Sequence, residues 1–159
     1  REECTLFVNR RVFHTRSHRQ APRTGHSARK GTTVFSHIFV GADDVGASKK
    51  FYDAVLGAIG IPEGKADPKG RVFYRTPTGL FGISKPIDGK AATHANGGTI
   101  GFACDSPEKA KAFHDAGVAA GGTSIEDPPG WREGGPARLY LAYLRDPSGN
   151  KICALHRMA

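Results

Sequence analysis

The chain has 159 residues, three cysteines and a formal net charge of +8. This length is sufficient for one domain with its own hydrophobic core. The cysteines are odd in number and widely spaced, which excludes a disulfide framework and a CxxC zinc pattern and indicates a reducing, cytoplasmic location. No stretch reaches the roughly 18–20 apolar residues that a membrane helix needs, so no membrane partner is expected.

The positive charge is concentrated in residues 1–33. They carry eight Arg and Lys and two Glu, a net +6, so residues 34–159 keep only +2 of the total of +8. Residues 1–33 have no helical or strand periodicity and are rich in Arg, Ser, Thr and His, which predicts a disordered basic tail. An organelle transit peptide has a similar composition. Nucleic-acid contact through this tail would be salt-sensitive and unspecific, and we do not expect it to be the main function.

The first predicted elements are a strand, a helix and a hairpin. Residues 34–40 are β-branched and aromatic, which predicts a strand. Asp43 or Asp44 can cap a helix that ends near Gly57 and Gly60, since apolar residues recur between them at helical spacing. Two short strands then flank a Thr-Pro-Thr-Gly turn, at residues 71–76 and 80–85.

The second half of the chain repeats this order. A strand is predicted at residues 99–104, and Ser106-Pro107-Glu108 is a strong helix start that combines a cap, a proline and an acid. Gly121 and Gly122 end this helix, and a short strand is predicted from Ile125. A hairpin around an Asp-Pro-Ser-Gly turn follows. The segments predicted to be irregular are 86–98 and 127–137.

The two halves are weak copies of one pattern. His37-Ile38 and the residues of the first helix reappear 62 positions later, beginning at Thr99-Ile100, and the two turns echo each other at an offset of 70. Such a long unit, present twice, is not a solenoid repeat. It predicts two similar modules, about 34–86 and 97–157, with a pocket between them that equivalent positions line.

This arrangement resembles the vicinal oxygen chelate superfamily, which includes glyoxalase I, bleomycin-resistance proteins and extradiol dioxygenases. The resemblance rests on the opening segment Phe35 to Gly57 and on Arg145-Asp146-Pro147-Ser148-Gly149-Asn150-Lys151-Ile152, and it covers about residues 33–157. It implies an α+β fold of two tandem βαβββ modules with curved mixed sheets around a central cavity. It also implies a homodimer, often with modules paired across chains.

Metal enzymes of that superfamily place one ligand on the first and the last strand of each module. The 62-residue offset assigns two of these positions to His37 and Thr99. The other two are assigned to Ile83 and Cys153, because each lies six residues beyond the proline of its turn. A catalytic metal generally needs three protein ligands. We therefore expect no resident cofactor, although the resemblance leaves a divalent metal possible.

Residues expected to face the pocket from the strands, or to close over it from the glycine-rich loop, define a candidate small-molecule site. His37 and Cys153 are the candidate catalytic residues, and the candidate substrate-binding residues are Phe35, Phe39, Phe81, Ile83, Thr99, Trp131, Arg132 and Tyr140. This set is largely apolar and suits a small, partly apolar molecule. The sequence thus favours a glyoxalase- or bleomycin-resistance-like protein whose metal site is largely lost. The alternative is a metal-dependent lyase, isomerase or dioxygenase of the same superfamily.

Overall fold

The computed structural model describes residues 34–133 and 137–158, and the α+β prediction is confirmed. Module one contains β1 (His37–Gly41), α1 (Val45–Ala58), β2 (Lys65–Ala66), β3 (Val72–Thr76) and β4 (Gly79–Ser84). Module two contains β5 (Ile100–Ala103), α2 (Pro107–Ala119), β6 (Thr123–Ser124), β7 (Gly130–Arg132), β8 (Leu139–Arg145) and β9 (Lys151–Arg157). The predictions for the basic tail lie outside the described residues.

Both helices begin where the sequence places their caps. The side chain of Asp44 accepts a hydrogen bond from the amide of Ala47 at 2.9 Å, and Ser106 accepts one from the amide of Lys109 at 3.2 Å. Asp43, the other candidate cap, instead accepts a hydrogen bond from the amide of Ala92. Each helix therefore has one of its unpaired N-terminal amides satisfied by a local side chain.

The strands form two mixed sheets. The first sheet has the order β1-β4-β3-β2, and the second has the order β5-β9-β8-β6 with β7 also paired to β8. In each sheet the first strand of the module pairs in parallel with the last one, while the remaining pairs are antiparallel. The duplicated sequence pattern thus corresponds to a duplicated topology.

One part of module two differs from the prediction. Residues 127–137 were expected to be irregular, yet Gly130, Trp131 and Arg132 form a strand that pairs with Leu139 to Leu141 of β8. The pairing with a neighbouring strand overrides the local Pro and Gly content, which is all that the sequence pattern registers. The short strand predicted from Ile125 lies at Thr123–Ser124 and does not contain Ile125, and β2 was not predicted at all.

One side of each sheet packs against the helices, and the two modules share a core. Tyr52 of α1 contacts Phe81 of the first sheet, with ring centroids 4.7 Å apart. Phe113 of α2 contacts Phe102 of the second sheet, and Phe102 also contacts Phe81. The other side of each sheet, which we call its outer face, carries the alternate residues. No helix of the described residues is long and apolar enough to span a membrane.

Candidate functional site

A cleft of about 430 Å³ lies between the two modules. We call it the intermodule cleft. Its walls come from the start of β1, the C-terminal end of α1, the β3–β4 hairpin and β5. Apolar residues dominate these walls, and they include Leu56, Ile59, Ile61, Leu80, Phe81 and Phe102. A volume in this range and a mostly apolar lining are typical of small-molecule sites.

His37 supplies the imidazole of the intermodule cleft. It is the first residue of β1, it is exposed, and its Nδ1 lies 2.9 Å from the hydroxyl of Ser36. Its Nε2 makes no hydrogen bond to any residue within the described ranges. That nitrogen is therefore available to donate a hydrogen bond to a ligand, or to accept a proton, according to the ring's tautomer.

Two other predicted residues also line this cleft. Phe35 precedes β1 and is 64% exposed, whereas Phe81 is 8% exposed and presents only part of its ring, because it also belongs to the core. Gly101 of β5 faces them from module two. A side chain added at Gly101 would meet nothing within 4 Å, so the cleft is open at this point.

Phe39 lies outside the intermodule cleft, on the outer face of the first sheet. Its ring packs edge-on against Phe73, with centroids 5.5 Å apart, and it covers Gly82 of β4. A Cβ at Gly82 would come within 2.5 Å of two ring carbons of Phe39. The aromatic ring therefore fills the space that a side chain at position 82 would need.

Ile83, predicted to bind substrate and to occupy a metal-ligand position, does not line the intermodule cleft. Ile83 is fully buried in the core and pairs with Val40, which is also a core residue. The β3–β4 turn has two residues between the paired Thr76 and Gly79, whereas five residues lie between Arg145 and Lys151 in module two. Counting six residues from each proline therefore reaches opposite sides of the two sheets, because a shift of one residue reverses the face.

The residue of module one that corresponds to Cys153 is Gly82. In the parallel pairs of the two modules, Phe39 pairs with Gly82 and Gly101 pairs with Cys153. Phe39 and Gly101 are themselves equivalent by the 62-residue offset. Phe73, which also pairs with Gly82, belongs to the same face and was missed by the sequence reasoning. Strand alternation read from the correct register would have found both residues.

Cys153 lies on the second sheet and is nearly inaccessible. It is 4% exposed, it pairs with Tyr143 of β8, and its thiol contacts the carbonyl of Ala154 at 3.4 Å. Burial raises the pKa of the thiol, which keeps it protonated at neutral pH. A protonated, buried thiol is a poor nucleophile and a poor metal ligand. Thr99, in contrast, is exposed, and it borders a small groove that Phe39 also lines.

The predicted residues of β7 and β8 lie away from the intermodule cleft. Trp131 packs perpendicular to Tyr140 at 5.6 Å, and the guanidinium group of Arg138 lies 4.9 Å from its ring centre. Tyr140 packs against the core side of the second sheet. Arg132 donates a hydrogen bond to the carbonyl of Pro128 at 2.8 Å. None of the three predicted residues, Trp131, Arg132 and Tyr140, lines the intermodule cleft.

Comparison with known proteins identifies the family. Residues 34–154 match the model of the Glyoxalase/Bleomycin resistance protein/Dioxygenase superfamily. The chain therefore belongs to this superfamily, which is the vicinal oxygen chelate group. No match was found among curated proteins.

Solved structures agree with this assignment. A glyoxalase/bleomycin resistance protein from Albidiferax ferrireducens is 62% identical, with a TM-score of 0.75, and the match covers 77% of this chain and 98% of that chain. A glyoxalase/bleomycin resistance protein/dioxygenase family enzyme from Burkholderia phytofirmans is 18% identical over 77% of this chain and 98% of that chain, with a TM-score of 0.58. The second structure supports the fold alone.

The donor set of this chain does not fit the divalent metal that the superfamily often uses. At the four corresponding positions stand an imidazole, a glycine covered by the ring of Phe39, a hydroxyl and a buried thiol with a raised pKa: His37, Gly82, Thr99 and Cys153. Within residues 34–133 and 137–158 there is no group of three or more His, Cys, Asp or Glu that could hold an ion. Only His37 is a good ligand, and one ligand does not hold a catalytic metal.

Proposed function

We propose that this protein binds a small, partly apolar molecule in the intermodule cleft and does so without the metal of its metalloenzyme relatives. The observation that carries the proposal is the cleft itself, about 430 Å³ in volume, with apolar walls and one imidazole at His37. Burial of an apolar ligand against these walls would provide the affinity. The Nε2 atom of His37 would orient the ligand's polar group.

Any proton transfer in this cleft would fall to His37. The cleft residues Tyr74, Thr76 and Thr78 also carry hydroxyl groups, but the hydroxyl of Tyr74 donates a hydrogen bond to Asp53, and the hydroxyls of Thr76 and Thr78 lie 3.2 Å apart. The thiol of Cys153 lies on the second sheet, outside the cleft lining. These contacts support a general-base role for His37 in preference to a nucleophilic role for Cys153.

A blocking substitution tests the proposal. Gly101→Leu would add an isobutyl group at a residue that lines the cleft, where no atom lies within 4 Å of an added Cβ. The probe is N-phenyl-1-naphthylamine, a neutral aromatic amine whose fluorescence rises on apolar binding. We expect its affinity to fall about tenfold or more, since the isobutyl group would occupy part of the space that the ligand needs.

Gly57→Leu is the matched control, because this glycine of α1 also has free space around it and does not line the cleft. Circular dichroism verifies that both variants fold. Equal probe affinity in the wild type and Gly101→Leu would contradict binding in the intermodule cleft.

We also propose that the protein works as a homodimer. Strands β1 and β5 each pair on one side only among the described strands, so both present free hydrogen-bonding edges. Light scattering coupled to gel filtration should give twice the chain mass of 17.0 kDa. A monomeric mass at micromolar concentration would contradict this.

A further inference from the structure

A second and larger cleft lies at one end of the outer face of the first sheet, away from the intermodule cleft. Its volume is about 760 Å³. We call it the cationic cleft, and its lining combines three apolar and three basic side chains: Phe39, Val45, Ile87, Lys69, Arg71 and Lys85. None of these residues lines the intermodule cleft. The volume again lies in the range of small-molecule sites.

The apolar part of the cationic cleft is unusually exposed. Ile87 is 106% exposed, which is the full accessibility of an isolated side chain, and Phe39 is 39% exposed. Phe39 also packs against Phe73, whose ring is flanked by the guanidinium groups of Arg71 and Arg75 at 5.2 and 5.4 Å. An aromatic or aliphatic ligand group would therefore cover an apolar surface that no described residue covers.

Basic groups outnumber acidic groups around this surface. Arg71 is neutralised by Asp67, which accepts hydrogen bonds from both Nε and Nη2 of its guanidinium group. Lys69 and Lys85 form no ion pair with any residue in the described part of the chain. The neighbouring Asp88 accepts a hydrogen bond from the amide of Lys90 and does not line the cleft. The cleft thus retains two uncompensated ammonium groups beside an apolar floor.

We propose that the cationic cleft is a binding site for a small amphiphilic anion, that is, a molecule with an aromatic or aliphatic body and a carboxylate or phosphate group. The body would lie on Phe39 and Ile87, and the anionic group would lie between the ammonium groups of Lys69 and Lys85. This site is separate from the one in the proposed function, and it stands or falls independently of it.

The test compares two fluorescent probes that share their rings. The first is 1-anilinonaphthalene-8-sulfonate, an anion, and the second is the neutral N-phenyl-1-naphthylamine. The variant Lys69→Gln/Lys85→Gln should bind the anionic probe about fivefold more weakly than the wild type, since each exposed charge contact contributes modestly. Its affinity for the neutral probe should not change. Added salt should weaken binding of the anionic probe alone.

The control variant is Lys50→Gln/Lys111→Gln, which also removes two positive charges, from the exposed surfaces of α1 and α2, and should leave both probes unaffected. Displacement identifies the anionic group: 2-naphthoate or 2-naphthyl phosphate should displace the anionic probe, and 2-naphthol should not. Displacement by 2-naphthol as well would overturn the preference for an anion.

Two further results would overturn the proposal. The first is unchanged affinity for the anionic probe in the double variant. The second is loss of the anionic probe's signal as the protein self-associates at higher concentration, which would show that a second copy of the chain covers this face. Neither result affects the proposed ligand binding in the intermodule cleft, which is tested by the neutral probe and Gly101→Leu.

Discussion

The hydroxyl of Tyr52 donates a hydrogen bond to Asp146 Oδ2 at 2.9 Å and so joins α1 of module one to the β8–β9 turn of module two. Asp146 is 4% exposed and also accepts hydrogen bonds from the amide and the side chain of Asn150. Asn150 in turn donates to the carbonyl of Gly41 at the end of β1. The turn of module two is thus held against module one by buried polar contacts, which are costly to leave unpaired.

Removal of the Tyr52 hydroxyl should destabilise the fold. Burial, together with the charge of Asp146, raises the pKa of Tyr52, so the hydroxyl remains a donor at all ordinary pH values. We expect Tyr52→Phe to lower the free energy of unfolding by about 1–2 kcal/mol, because a charged, buried acceptor loses a partner. Urea denaturation measures this. Tyr140→Phe is the control, since that hydroxyl has no hydrogen bond to the described residues. Equal losses of unfolding free energy in the two variants would contradict the stabilising role of the hydrogen bond between Tyr52 and Asp146.

The contact between the two helices depends on Gly117. A Cβ at this position of α2 would come within 2.4 Å of Leu144 Cδ1 and 2.9 Å of Val55 Cγ1. We therefore expect Gly117→Ala to cost about 1–3 kcal/mol through overpacking. Gly57→Ala makes the same change in α1, where nothing lies within 4 Å, and should instead stabilise by up to about 1 kcal/mol. We therefore expect Gly117→Ala to lower the melting temperature and Gly57→Ala to raise it. A stabilising Gly117→Ala would show that the helices are not in close contact.

Much of the fold could be predicted from local sequence. The caps at Asp44 and Ser106 and the hairpin turns at residues 76–79 and 145–151 all form where local residue chemistry places them. The strand at Gly130–Arg132 could not be predicted, because its hydrogen bonds go to β8 and are invisible in a Pro- and Gly-rich segment read alone.

The site was less accessible to sequence reasoning. His37 was found because a histidine on an apolar strand is distinctive, and the structure places it in the intermodule cleft. Ile83 was misplaced because the register of β4 depends on the length of its turn, which proline counting does not measure. Leu56 and Ile59 line the cleft from the end of α1, and their apolar spacing in the sequence is equally consistent with a core position.

Alkaline pH should reveal the burial of Cys104. Burial raises the pKa of this thiol from 9.0 to about 11. The thiol therefore ionises at lower pH in the unfolded chain than in the folded one. Its contribution to the free energy of unfolding is fully present below about pH 9 and is lost between about pH 9 and 11. We expect the stability difference between the wild type and Cys104→Ala to shrink by roughly 2 kcal/mol over this range. Urea denaturation at several pH values measures it. A difference that is constant with pH would contradict the raised pKa.

His37→Ala should leave both the fold and the metal content unchanged. The side chain is exposed, and the corresponding positions Gly82, Thr99 and Cys153 offer no set of partners for an ion. Elemental analysis of dialysed wild type and variant should find less than stoichiometric metal in both, and the melting temperatures should agree within about 2 °C. One metal per chain in the wild type, lost in the variant, would overturn the proposal of a metal-free site.

The packing of Phe39 over Gly82 predicts an energetic coupling between the two positions. Gly82→Ala alone should destabilise by about 1–2 kcal/mol, because the new Cβ would lie 2.5 Å from the ring of Phe39 and the ring would have to move. In a Phe39→Ala background the ring is absent, and the same substitution should be neutral or slightly stabilising, since glycine weakens a strand. A double-mutant cycle in urea should therefore give a coupling of at least about 1 kcal/mol. Additive effects would show that the ring does not occupy the space above Gly82, and that a larger side chain, including a metal-binding carboxylate, could be accommodated there.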